Sequence, residues 1–298
     1  MNQPEYLQIG DKIGIVASAR KINALELKEA VDFFKLWGLE CVLGENIFNE
    51  HHQYAGTDDE RFQDLQKMLD DDQIKAISFA RGGYGTIRIL DKLNWTKFSK
   101  KPKWLIGFSD ITAIHSYVSQ NLNIETIHAI MPLNFETASN DSIGSLQKAL
   151  FGEPISYQIK NHFLNRKGSV KAPLIGGNLS ILHTLTGSNA DLNTEGKILF
   201  IEDLDEYLYH IDRMMLSLKR SGKLSNLAGL LVGGMTIMND NTIPFGKEAF
   251  EIIKEHIKEY DYPVCFDFPA GHFPDNRTLI LGRNLTLSVG EEVSLVFD

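Results

Sequence analysis

The feature that most restricts the fold is an alternation, through the first half of the chain, of short β-branched apolar runs with stretches bearing apolar residues at helical spacing. KIGIVASA (Lys12 to Ala19) reads as a buried strand running into turn-forming residues. Leu27, Ala30, Val31, Phe34 and Trp37 then recur on one helical face, and Gly38 falls where a C-terminal cap belongs. ECVL is a second strand, and Thr57 with Glu60 makes a T-x-x-E capping box for a helix whose apolar face is Phe62, Leu65 and Leu69. The third unit is IKAISFA (Ile74 to Ala80), the turn ARGGYG and a helix from Thr86 to Leu93. KWLIGF (Lys103 to Phe108) is a fourth strand, with Ser109 at its carboxyl end and a helical stretch from Asp110 to about Gln120; IETIHAI is a fifth. Such alternation implies parallel strands joined by right-handed crossovers, with ligand groups collecting at strand carboxyl ends.

Between 136 and 168 the pattern weakens into polar, Asn- and Ser-containing sequence, which reads as a connection between an N-terminal domain (1–135) and a C-terminal one (169–298). The second unit holds APLIGGNLSILHTLTG, the strand KILFIED (Lys197 to Asp203), a helix around Ile211 to Lys219, the apolar run LAGLLVGGM and a helix from Lys247 to Tyr260. Its last segments, RTLILG, LTLSVG and EVSLVF, are separated by Gly and Asn and predict an antiparallel meander. With 298 residues, 43% of them apolar, the chain is long enough for two cores.

Composition excludes several functions. Thirty Lys and Arg against 39 Asp and Glu give a net charge of −9, and no long basic run overrides it, so nucleic acid is not an expected partner. No apolar stretch approaches the roughly 20 residues of a membrane helix, and MNQPEYLQIGDK lacks the basic start and apolar run of a signal peptide, so a cytoplasmic location without membrane association is expected. Cys41 and Cys265 lie far apart and read as core thiols; HExxH and clustered metal ligands are missing, so no metal is expected.

Ser109 would stand at a sharp strand-to-helix turn, where helix N–H groups and the positive dipole end stabilise charge on a nearby oxygen. The same position suits a simple N-cap, and G-F-S-D lacks the second glycine of the G-x-S-x-G elbow. A serine nucleophile needs a base. Among nine histidines, His272 stands out, because PAGHFPDN follows the strand VCFDF among Gly and Pro residues; the other reading is a surface histidine. The base needs an acceptor. Glu202, at the end of ILFI, is the best placed, with Asp203, Asp205 and Glu206 as competitors in an acidic loop. ARGGYG offers backbone donors that fit an oxyanion or a phosphate equally in principle, with Gly83 in a turn next to Ser109's strand; it matches neither nucleotide-binding glycine motif.

Taken together, ARGGYGTIRILDKL, WLIGFSDIT, LIGGNLSILHTLTGS, LFIEDLDEYLYHIDRMMLSL and PAGH resemble the LD-carboxypeptidases, a serine peptidase family that includes enzymes giving immunity to a peptide-nucleotide antibiotic. The resemblance spans nearly the whole chain and implies an α/β architecture: a flavodoxin-like parallel-sheet N-terminal domain with the nucleophile, a β-rich α/β C-terminal domain with acid and base, and the active site at their interface. It implies Ser109 as nucleophile, Glu202 as triad acid, His272 as general base, and the Gly83 and Asp110 N–H groups as the oxyanion hole. It further implies metal-free hydrolysis without a cofactor, releasing a terminal D-amino acid, typically D-Ala, from a murein tetrapeptide during cell-wall recycling, in a homodimer. Capture of a free substrate carboxylate calls for a cation or a nest of N–H groups near the cleft; Arg81 and Arg213 are the candidate cations, with a structural ion-pair role as the other reading of each. An antibiotic-immunity peptidase acting on a peptide-nucleotide conjugate and a ligand-binding protein without chemistry are the alternatives.

Overall fold

The computed structural model, which describes residues 1–298, gathers the five N-terminal strands into one sheet. These are β1 (Lys12–Val16), β2 (Glu40–Leu43), β3 (Ile74–Phe79), β4 (Trp104–Gly107) and β5 (Thr126–His128). They pair in parallel in the order β2-β1-β3-β4-β5, the flavodoxin-like order. The helices between them are α1 (Ala24–Leu36), α2 (Asp58–Asp70), α3 (Thr86–Leu90), α4 (Thr96–Lys100) and α5 (Thr112–Tyr117). Local chemistry explains their limits. The Thr57–Glu60 capping box opens α2, and Gly38, at φ +81, follows the end of α1. Strands β3 and β4 are buried along almost their whole length, as strands covered on both faces must be.

The stretch 136–168 is a folded part of the molecule and not a bare connection. It carries α6 (Asn140–Phe151), opened by Ser139, whose side chain accepts the Ser142 N–H, and closed by Gly152 at φ +77. It also carries β6 (Ser156–Lys160), an edge strand of the second sheet. Its serines and asparagines cap and pack, which disguises the helical face of Leu146, Ala149 and Leu150.

The second sheet runs β10-β9-β8-β7-β12-β13-β6. Its parallel part contains β7 (Gly168–Asn178), β8 (Ile198–Leu204), β9 (Gly229–Thr236) and β10 (Val264–Cys265), with α7 (Leu179–Leu185), α8 (Leu208–Arg220) and α9 (Ala249–His256) between them. The expected C-terminal meander is only partly present. β11 (Leu279–Leu281) leaves it and pairs antiparallel with β5 in the first sheet, while β12 (Asn284–Val289) and β13 (Glu292–Phe297) form the hairpin. All three residues of β11 are under 3% exposed, and the strand pairs the backbone edge that β5 would otherwise leave open. One apolar cluster therefore runs from Ile13 and Ile15 through Ile127 to Phe200, Leu285 and Leu287, joining both halves. No helix is long and apolar enough to cross a membrane.

Candidate active site

β4 ends at Gly107, Phe108 is extended, and Ser109 takes a left-handed φ of +62 before the chain winds through a 3-10 turn into α5. A non-glycine residue held there costs about 1–3 kcal/mol, so the surroundings must impose it. They do so by close approach. A Cβ on Gly107 would lie 2.9 Å from Ile111 Cγ1, and one on Gly82 would lie 3.1 Å from the Ser109 Cβ. The first glycine makes room for Ile111, two residues past the serine. Gly82, from the neighbouring turn, gives the space for Ser109 itself. That is how this elbow forms without the second glycine of G-x-S-x-G.

Ser109 Oγ lies 3.0 Å from His272 Nε2, and His272 Nδ1 lies 2.7 Å from Glu202 Oε2. The network assigns the tautomer: Nδ1–H donates to the carboxylate, leaving Nε2 to accept from the serine hydroxyl. Three elements from two sheets meet here: the end of β4, the end of β8 and the loop after β10. Glu202 is fully buried, and its Oε1 has no hydrogen-bond partner in the protein. Burial pulls the His272 pKa down, but the charge of Glu202 and its hydrogen bond outweigh that and leave it raised. Asp203 points elsewhere, accepting from Asn178 Nδ2 and Ser180 N, each at 2.9 Å, and so serves the start of α7. Burial, and then the adjacent Glu202, push its carboxyl up to about 7.

The His272 loop is held by backbone contacts. Gly271 N–H donates to Asn276 Oδ1 at 2.9 Å, the Thr236 hydroxyl donates to the His272 carbonyl at 3.3 Å, and the Phe108 ring lies 4.8 Å from the imidazole. Of the other histidines, His128 is buried between Phe108 and Phe200 and burial drives its pKa well below the ordinary value, while burial lowers His115 to about 4.

Gly83 has φ +114, and its amide makes no hydrogen bond within the protein. Asp110 contributes more than sequence reasoning finds. Its side chain is buried, burial raises its pKa, and Oδ2 accepts the Thr86 N–H at 2.8 Å. Thr86 Oγ1 in turn meets Ser18 Oγ at 2.8 Å. The glycine turn is thus tied to the residue directly after Ser109, a long-range contact with no local signature.

Neither arginine singled out in the sequence is hydrogen-bonded to this array. Arg81 donates through Nη1 to the Lys21 carbonyl at 2.9 Å and lies 3.9 Å from Glu26, and Arg213 is exposed on α8 over the Tyr209 ring. Arg81 is held by residues distant in the sequence, whereas Arg213 makes no hydrogen bond or ion pair and faces Tyr209 one turn earlier on the same helix. A pocket of about 280 Å³ opens between the halves beside His272, bounded by Phe108, Ile130, Asn134, Leu204 and Phe273. No group of three or more His, Cys, Asp or Glu side chains is placed to hold a metal ion.

A serine, a histidine and a buried carboxylate linked in this order, at the meeting of two α/β sheets, form the arrangement by which hydrolases activate a hydroxyl. Residues 13–129 match the LD-carboxypeptidase N-terminal domain and residues 171–287 the LD-carboxypeptidase C-terminal domain, so the chain belongs to the LD-carboxypeptidase family. It is 33% identical over 305 aligned positions to the "Probable murein peptide carboxypeptidase" of Bacillus subtilis (strain 168), covering 99% of this chain and 94% of that one. Its fold is similar to the muramoyltetrapeptide carboxypeptidase from Oxalobacter formigenes, with TM-score 0.88 and 24% identity over 96% of this chain and 98% of that one. It is similar also to the microcin C7 self-immunity protein MccF, with TM-score 0.89 and 20% identity over 99% and 98%. The family and its curated relatives make the chain a carboxypeptidase-type peptidase.

Proposed function

We propose that this chain is a serine LD-carboxypeptidase that releases the terminal D-amino acid, D-Ala, from a murein tetrapeptide in the cytoplasm during cell-wall recycling. The observation that carries this reading is the hydrogen-bonded chain Ser109–His272–Glu202 at a left-handed serine. His272 Nε2 takes the hydroxyl proton as Ser109 Oγ attacks the scissile carbonyl. The oxyanion is received by the N–H groups of Gly83 and Asp110. The imidazolium, stabilised by Glu202, gives its proton to the leaving amine, and the C–N bond breaks. Water, deprotonated by the same imidazole, then hydrolyses the acyl-enzyme and restores Ser109. No step calls on a metal or a cofactor.

The substrate class rests on likeness to the 33% identical relative named for murein peptide. A second substrate reading, a peptide-nucleotide conjugate, has the support of fold likeness to MccF, a protein whose complex with glutamyl sulfamoyl guanosine is known. Mass spectrometry of products from a murein tetrapeptide and from an aminoacyl sulfamoyl nucleoside separates them. The proposal expects D-Ala and tripeptide from the first; cleavage of the second alone overturns the murein assignment.

A further inference from the structure

An exopeptidase must distinguish a chain end from a chain interior, and the group that marks the end is a free carboxylate. Its carbon lies one residue beyond the scissile carbonyl, about 3–4 Å away. The cation that holds it must therefore stand beside the oxyanion site, free of other partners.

Arg20 meets both conditions. It follows β1 in the segment tied to the glycine turn, where its N–H donates to the Gly82 carbonyl at 3.5 Å. Its side chain lies across Gly83: a Cβ there would stand 2.6 Å from both Cγ and Cδ of Arg20 and 2.9 Å from Nε. The glycine is therefore needed twice, for its φ of +114 and for the room the arginine stem occupies. The residue is exposed, and its guanidinium makes no hydrogen bond or ion pair with any side chain or carbonyl. Its charge reaches the nucleophile's turn, where it is among the influences that offset the burial of Asp110. The other cations on this lip are engaged: Arg81 with the Lys21 carbonyl and Glu26, Lys21 with Glu50, Arg88 with Asp58.

We propose that Arg20 captures the free carboxylate of the substrate's terminal residue and so sets the site's preference for chain ends. This rests on the peptidase reading above. A planar guanidinium suits the task, because it can offer two parallel N–H donors to one carboxylate.

The test compares a tetrapeptide ending in D-Ala with the same peptide ending in D-Ala amide, using wild type, Arg20→Ala and Arg20→Lys. Wild type is expected to favour the free acid by about a hundredfold in kcat/KM, the size of a lost charge-assisted hydrogen-bond pair. Arg20→Ala should bring that ratio close to one, chiefly by raising KM for the acid, and Arg20→Lys should recover part of it. An unchanged ratio in Arg20→Ala, or equal cleavage of both peptides by wild type, overturns the proposal while leaving the peptidase intact. Failure of wild type to cleave either peptide would instead overturn the reading on which it rests.

Discussion

A Cβ on Gly271 would stand 2.9 Å from Oε2 of Glu202, the oxygen that binds His272, so the residue before the histidine and the carboxylate behind it occupy one continuous packed space. Gly271 also has φ +130, a conformation that an L side chain enters only under strain. Gly271→Ala is therefore expected to push the carboxylate and imidazole apart. A misplacement of this kind can cost about 10² in rate, and the strained backbone about 1–3 kcal/mol in stability. D-Ala release kinetics and a thermal melt measure the two effects separately.

The pH profile follows from the raised His272 pKa. The base works as neutral imidazole, so kcat/KM should fall as pH drops through a value above the ordinary 6.5 of a histidine. Glu202→Gln removes the charge that raises it most, leaving burial, which favours the neutral ring, opposed by the weaker influence of Asp203. The acid limb should move to lower pH, with a rate loss of about 10⁴. A limb that stays in place would show that another group titrates there.

How much of this was legible in the sequence depends on the range of the interactions involved. The order β2-β1-β3-β4-β5 is what repeated strand–helix alternation implies, and the Thr57–Glu60 box marks the start of α2 because a cap is a local device. β11 is different. Its apolar pattern matches the strands after it, and its pairing with the backbone of Thr126 to His128, distant in the sequence, places it in the other sheet. The same division holds at the site. Ser109, Glu202 and His272 each stand at the end of a recognisable strand or in a glycine-rich loop, and they meet. The Asp110 carboxylate, the fit of Gly271 against Glu202 and the path of Arg20 over Gly83 are tertiary contacts, without periodicity or spacing to announce them.

The Asp110 carboxylate gives a further prediction. It is the acceptor for the buried Thr86 N–H, and it joins the turn bearing Gly83 to the turn bearing Ser109. Asp110→Ala leaves that donor unpaired, at about 1–3 kcal/mol, and lets the two turns drift. Because the drift affects the oxyanion donors more than substrate binding, kcat should fall by about 10–10² with KM little changed. Asp110→Asn retains an acceptor oxygen and should lose much less. Steady-state kinetics on the three proteins decide it.

The central claim is that Ser109 and His272 act as one unit on the scissile bond. It is tested most directly by the rate of D-Ala release from murein tetrapeptide by Ser109→Ala, His272→Ala and the double variant. Each single change should cost about 10⁶, and the double change should cost no more, because removing either member already disables the other. Release by Ser109→Ala at near the wild-type rate, or losses that multiply in the double variant, would contradict the account.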